Sequence, residues 1–250
     1  MSSLSNPFAH HDPIAQATDA LVDSAALGRL EPLREAIAAG GDPNFMRLDI
    51  SPALAAVSNE HLECLRLVVE AGGGGDLPNR MGWTAFHEAS IKEDVQFLEV
   101  LLSSEFEQDL SPRDRQGWTP LRAAIEYGRL EAVSQLLTAS PKQIDIVDLQ
   151  NVSPVMAAAR KRNVFLMTLL LEAGADLSVE DREGKNIAHY VEGWSEGEEL
   201  LAGRNLVATP IAPRSIAAEP VSDPPAEEVS APPAENPFGL GGMKKIRKGP

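Results

Sequence analysis

The chain has 250 residues and a formal net charge of −15, with 37 acidic against 22 basic side chains. That balance argues against nucleic acid as a partner, because a phosphate backbone needs a concentrated positive surface. A single cysteine, Cys64, rules out an intramolecular disulfide. Hydrophobic residues make up 43% and aromatics only 5%; with Ala and Leu dominant, the composition favours an all-α protein over a sheet sandwich.

From the N-terminus, Met1 to Gln16 has no basic residue before an apolar stretch and contains two prolines, so it does not read as a signal peptide. It is expected to be a disordered arm, residues 1–16. No run approaches the roughly 20 apolar residues that cross a bilayer. The expectation is a protein without membrane insertion, located in the cytoplasm and monomeric when alone.

A period follows. Ser51-Pro52-Ala53-Leu54, Thr84-Ala85-Phe86-His87, Thr119-Pro120-Leu121-Arg122 and Ser153-Pro154-Val155-Met156 align, with weaker copies at Asp19-Ala20-Leu21-Val22 and Asn186-Ile187-Ala188-His189, at spacings of 32 to 35 residues. A Ser, Thr or Asp accepts hydrogen bonds from the free N–H groups of a new helix, and Pro in the first turn sacrifices no bond. Small residues such as Ala123-Ala124 and Ala157-Ala158-Ala159 let this first helix approach its neighbours closely. A breaker follows, and a second helix carries apolar residues at helical spacing: Leu62, Leu65, Val68 and Val69 in one copy, Leu130, Val133, Leu136 and Leu137 in another. They are expected to face the core. Gly174 and the run Gly72 to Gly75, the latter read as a loose turn, close second helices.

The copy Asp114-Arg115-Gln116-Gly117-Trp118-Thr119-Pro120-Leu121-Arg122-Ala123-Ala124 resembles the ankyrin family, whose repeat of about 33 residues carries a T-P-L-H-x-A signature. The resemblance implies a solenoid of about six helix-turn-helix repeats over residues 17–204, the first and last cap-like. The two longer spacings are expected to be loop insertions near Ser103 to Arg113 and Ala139 to Ile146. Beyond 205 the chain is rich in Pro and Ala and ends in Lys244-Lys245-Ile246-Arg247-Lys248; it is expected to be a disordered tail.

Catalytic patterns are missing from the sequence. His10, His11, His61, His87 and His189 show no zinc-ligand spacing, no phosphate-binding glycine loop is present, and Cys64 falls at a core-facing position. No metal or cofactor is expected, and no enzymatic activity. His87 and His189 occupy the signature's His position, where the resemblance implies that the imidazole ties the turn to the helix.

The resemblance also implies that equivalent hairpin positions form rows along a concave groove. The residue before each anchor is Ile50, Trp83, Trp118, Val152 and Lys185, and three residues earlier stand Arg47, Arg80, Arg115, Leu149 and Arg182. Trp83 and Trp118 are expected to be exposed anchors for a partner protein, flanked by Arg80 and Arg115 and extended by Ile91 and Tyr127, with Arg47 and Arg182 at the ends. The alternative is that each Trp packs on a neighbouring hairpin and stiffens the ridge. Arg160-Lys161-Arg162 is read as a basic end to the groove. Outside the repeats, Asn6-Pro7-Phe8 and Asn236-Pro237-Phe238 repeat a tripeptide that resembles the ligand of EH domains, although for a match of three residues chance or a plain turn is the favoured account. The function expected is that of an adaptor, scaffold or inhibitor; a translocated bacterial effector or immunity-type protein is the alternative.

Overall fold

The computed structural model describes residues 13–203; the arm before Pro13, the tail after Gly203 and both Asn-Pro-Phe tripeptides lie outside them. Twelve α-helices form six pairs among the described residues: α1 Pro13–Leu27 with α2 Leu30–Ala38, α3 Pro52–Ser58 with α4 Leu62–Glu70, α5 Ala85–Ile91 with α6 Gln96–Leu102, α7 Pro120–Glu126 with α8 Leu130–Ala139, α9 Pro154–Arg160 with α10 Val164–Glu172, and α11 Ile187–Val191 with α12 Ser195–Ala202. A 3₁₀ turn at Pro141–Asp145 fills one expected insertion. No strand forms among these residues, only an isolated bridge between Arg47 and Ile50.

First helices start where the anchors place them. The hydroxyl oxygens of Ser51 and Thr119 accept from the Leu54 and Arg122 amides at 3.1 and 3.2 Å, and the Asn186 carboxamide oxygen accepts from the Ala188 amide at 3.1 Å. The first copy differs. α1 runs unbroken from Pro13 through Asp19, because Pro13 opens it and no breaker interrupts Pro13–Leu27. Asp19 is therefore mid-helix, and its carboxylate pairs with Arg47 instead of capping.

First helices pack on first helices and second on second along the array, which gives two layers sharing one core. The alanines of α3, α7 and α9 are buried within it, as close approach requires. In the second helices Leu65, Val68, Val133 and Leu136 are buried and Leu62 is half-buried against the core as expected, but Leu130 is exposed. Cys64 is buried, and burial, followed by the nearby Glu63 charge, pushes its thiol pKa up. The glycine run is tight rather than loose: a Cβ on Gly73 would collide with Val68, and one on Gly75 would stand 3.0 Å from Leu101 and Phe86.

Candidate interaction surface

The hairpins joining the repeats share one design. Asn79, Asp114, Asp148 and Asp181, five residues before their anchors, each use one side-chain oxygen to accept two amides of their own hairpin, at 2.8–3.0 Å: Met81 and Trp83, Gln116 and Trp118, Gln150 and Val152, Glu183 and Lys185. Two residues before each anchor the backbone is left-handed, at Asp49, Gly82, Gly117, Asn151 and Gly184. The carboxamide and carboxylate row was not singled out in the sequence, although aligning the copies exposes it.

These hairpins are stitched to one another. The amides of Arg115, Leu149 and Arg182 donate to the carbonyls of Met81, Gln116 and Gln150 in the preceding hairpin, at 2.9–3.0 Å. At the first junction the Asp49 carboxylate takes the Arg80 amide instead, at 2.6 Å. The backbone of the expected arginine row is thereby fixed while its side chains project. Arg115 and Arg182 are exposed and form no ion pair among the described residues; Arg80 is exposed and only 3.9 Å from Asp49. Arg47 is not free, because it pairs with Asp19 and Asp23 on α1.

The preceding row is not a row of exposed anchors. Val152 is buried, and Ile50 and Trp83 pack against the core. Trp83 is half-buried, stacks on the His87 ring at 4.8 Å between centroids and donates its indole N–H to Glu88 at 3.0 Å. Trp118 is half-buried with the Arg122 guanidinium 4.6 Å over its ring, a cation–π contact. The two tryptophans are linked through His87: its Nδ1 meets the Thr84 hydroxyl at 2.9 Å and its Nε2 donates to the Trp118 carbonyl at 3.0 Å. Each indole is thus partly committed to its own hairpin. Ile91 is half-buried, with its carbonyl taken by Arg129, and Tyr127 is exposed at the C-terminus of α7.

The signature's His position shows why its occupants diverge. His87 is buried, and burial pushes its pKa down to about 4 against the opposing pull of the Trp118 carbonyl. His189 is exposed: its pair is the last one described, and among the described residues no following hairpin offers it a carbonyl. Arg122 sits in the same position, 1% exposed, bonded to Glu126 at 2.9 Å and 3.7 Å from Asp148. Burial lowers the Arg122 pKa. Burial alone would raise Glu126, but bonds from Lys161 and Arg122 and their charges hold it down at about 2. Arg160 joins the same carboxylate at 3.3 Å and Lys161 also pairs with it, so two of the three cations of the expected basic end share one carboxylate with Arg122. Tyr190 donates to Asp181 at 2.7 Å; burial and that bond push its pKa up to about 12.

Leu48 and Met81 at the hairpin tips were not singled out in the sequence. Leu48 is 86%, Met81 52% and Leu149 48% exposed, next in sequence to Arg47, Arg80 and Gln150. Among the described residues no group of three or more His, Cys, Asp or Glu side chains is placed to hold a metal, and no helix is long and apolar enough to cross a membrane.

A family profile described as ankyrin repeats (3 copies) matches residues 21–114, 53–148 and 107–181. Human SMC5-SMC6 complex localization factor protein 1 is 33% identical over 126 residues, which is 50% of this chain and 12% of that protein. The mouse B-cell lymphoma 3 protein homolog is 32% identical over 146 residues, 57% of this chain and 32% of that protein; the chain therefore spans a third or less of these relatives. The crystal structure of the ankyrin repeat domain of Bcl-3, described as a unique member of the IkappaB protein family, superposes with a TM-score of 0.64 at 27% identity, covering 73% of this chain and 81% of that one. An ankyrin repeat domain from Acinetobacter baumannii AYE superposes at 0.66 with 21% identity, covering 73% and 96%.

Proposed function

Because the chain belongs to the ankyrin-repeat family, we propose that it is a non-enzymatic protein-protein interaction module, an adaptor, scaffold or inhibitor, that holds its partner along the hairpin tips and the adjoining ends of the first helices. One observation carries the reading: stitched hairpins present Leu48, Met81 and Leu149 together with Arg115 and Arg182, unpaired among the described residues, and the projecting Arg80. Rigid backbone under exposed side chains lowers the ordering cost of binding, and apolar contacts bracketed by guanidinium groups favour a partner segment carrying apolar side chains and carboxylates. Tyr127 extends the contact toward the groove. Trp83 and Trp118 contribute their exposed edges and brace the ridge. The cytoplasm is the proposed setting.

The test is quantitative capture from lysate of the native cell, with the full chain as bait beside a Met81→Asp, Arg115→Glu variant. A partner retained by the wild type and lost by the folded variant supports the reading. Equal retention by both moves the contact off the hairpins.

A further inference from the structure

The second-helix layer breaks its own repeat pattern at one position. Aligned from their first turns, the second segments carry Glu31, Glu63, Gln96 and Glu131 where α10 carries Phe165. Phe165 is 73% exposed and takes no part in the core. Four residues on, Leu169 is half-buried. Residues at this spacing share a helix face, so α10 presents an apolar strip where the adjoining α8 presents Glu131 and Gln135.

One residue before Phe165, Val164 lines a shallow groove between α10 and α12. Thr168 and Leu200 are also part of its lining, and Glu172, Glu196 and Glu199 rim it. None of these three carboxylates forms an ion pair among the described residues. Glu196 and Glu199 stand three residues apart on one helix, an arrangement of like charge that is mildly unfavourable when left alone.

We propose that the face of α10 and α12 around Phe165 docks a segment of a partner protein that presents an apolar anchor together with lysine or arginine side chains. An exposed aromatic with adjoining aliphatic groups supplies the desolvated centre of an interface, and the glutamate rim selects the charge of what surrounds it. A second copy of this chain is disfavoured. The six second helices carry ten glutamates against two arginines, so joining two such faces would bring like charges together. The face is separate from the hairpin tips and does not depend on the function proposed for them.

The test uses the full chain and a fluorescein-labelled amphipathic peptide of about 14 leucines and lysines, read by anisotropy at several salt concentrations. Saturable binding is expected, weakened roughly thirtyfold or more by Phe165→Glu, a change that restores the residue type of the neighbouring copies. Replacing Glu172, Glu196 and Glu199 by Gln should weaken binding and flatten its salt dependence, whereas Met81→Asp with Arg115→Glu should leave it unchanged. The proposal is overturned by no saturation up to about 1 mM peptide, by equal binding to Phe165→Glu, or by equal binding of a leucine–glutamate peptide in the same register. Sedimentation that finds a wild-type dimer dissociated by Phe165→Glu would also overturn it, by assigning the face to a second copy.

Discussion

Gly117 and Gly184 hold the same hairpin position with nearly the same backbone, φ +77° and +76°, but only Gly117 is crowded. A Cβ on Gly117 would stand 2.8 Å from the Leu149 amide nitrogen, whereas one on Gly184 meets nothing within 4 Å. Alanine in the left-handed region costs about 1–2 kcal/mol, offset by about 0.4–1 kcal/mol from a stiffer unfolded chain. Gly184→Ala should therefore lose about 0.5–1 kcal/mol. Gly117→Ala adds the displacement of the next hairpin and with it the bond from Leu149 to the Gln116 carbonyl, worth about 1 kcal/mol or more, for a total of about 2–3 kcal/mol. Urea unfolding of both variants at one pH measures the difference. Equal losses would show that backbone conformation alone sets the demand for glycine here and that the hairpin contact contributes nothing.

His87 is held neutral, with a folded pKa of about 4 against about 6.5 unfolded. The unfolded chain takes up the proton first, so stability should fall as pH drops from about 6.5 toward 4, by up to about 3 kcal/mol. His87→Leu, the residue type of Leu54 in the second copy, should flatten the profile between pH 6.5 and 4.5. Glu126 has the opposite linkage: its folded pKa of about 2 gives stability present above about 4.5 and lost as pH falls toward 2. Glu126→Gln should cost about 1.5–3 kcal/mol at neutral pH, because it strips the buried Arg122 of its nearest carboxylate. Trp83→Ala should destabilise by about 2 kcal/mol in thermal or urea melts, given its packing and its bond to Glu88; an unchanged melt would mean that the indole serves binding alone.

The period, the helix starts and the pairing of helices were legible because they rest on local chemistry: Ser51, Thr119 and Asn186 cap within their own turns, and Pro52, Pro120 and Pro154 mark the first residues. The start of α1 was missed because the weak match at Asp19 outweighed Pro13. Orientation was harder. Whether Trp83 and Trp118 project or tuck in depends on His87, Glu88 and Arg122, and on how close successive hairpins lie, which one copy read alone does not reveal. The burial of Arg122 was hidden for a related reason. Glu126, four residues on in the same helix, is within reach of a local reading, but Asp148 lies 26 residues on, and no local pattern announces that it meets Arg122.

The stitched hairpins have a consequence for how the array comes apart. Each hairpin is bonded only to its immediate neighbours, and each helix pair rests on the next, so resistance to opening accumulates from junction to junction along the stack. Protection of amides against deuterium exchange should therefore form a gradient rather than a plateau. The Arg115 and Leu149 amides, at central junctions, should exchange through near-global opening. The Arg182 amide borders the five-residue helix α11, and it should exchange through fraying of the last pair, ahead of the centre.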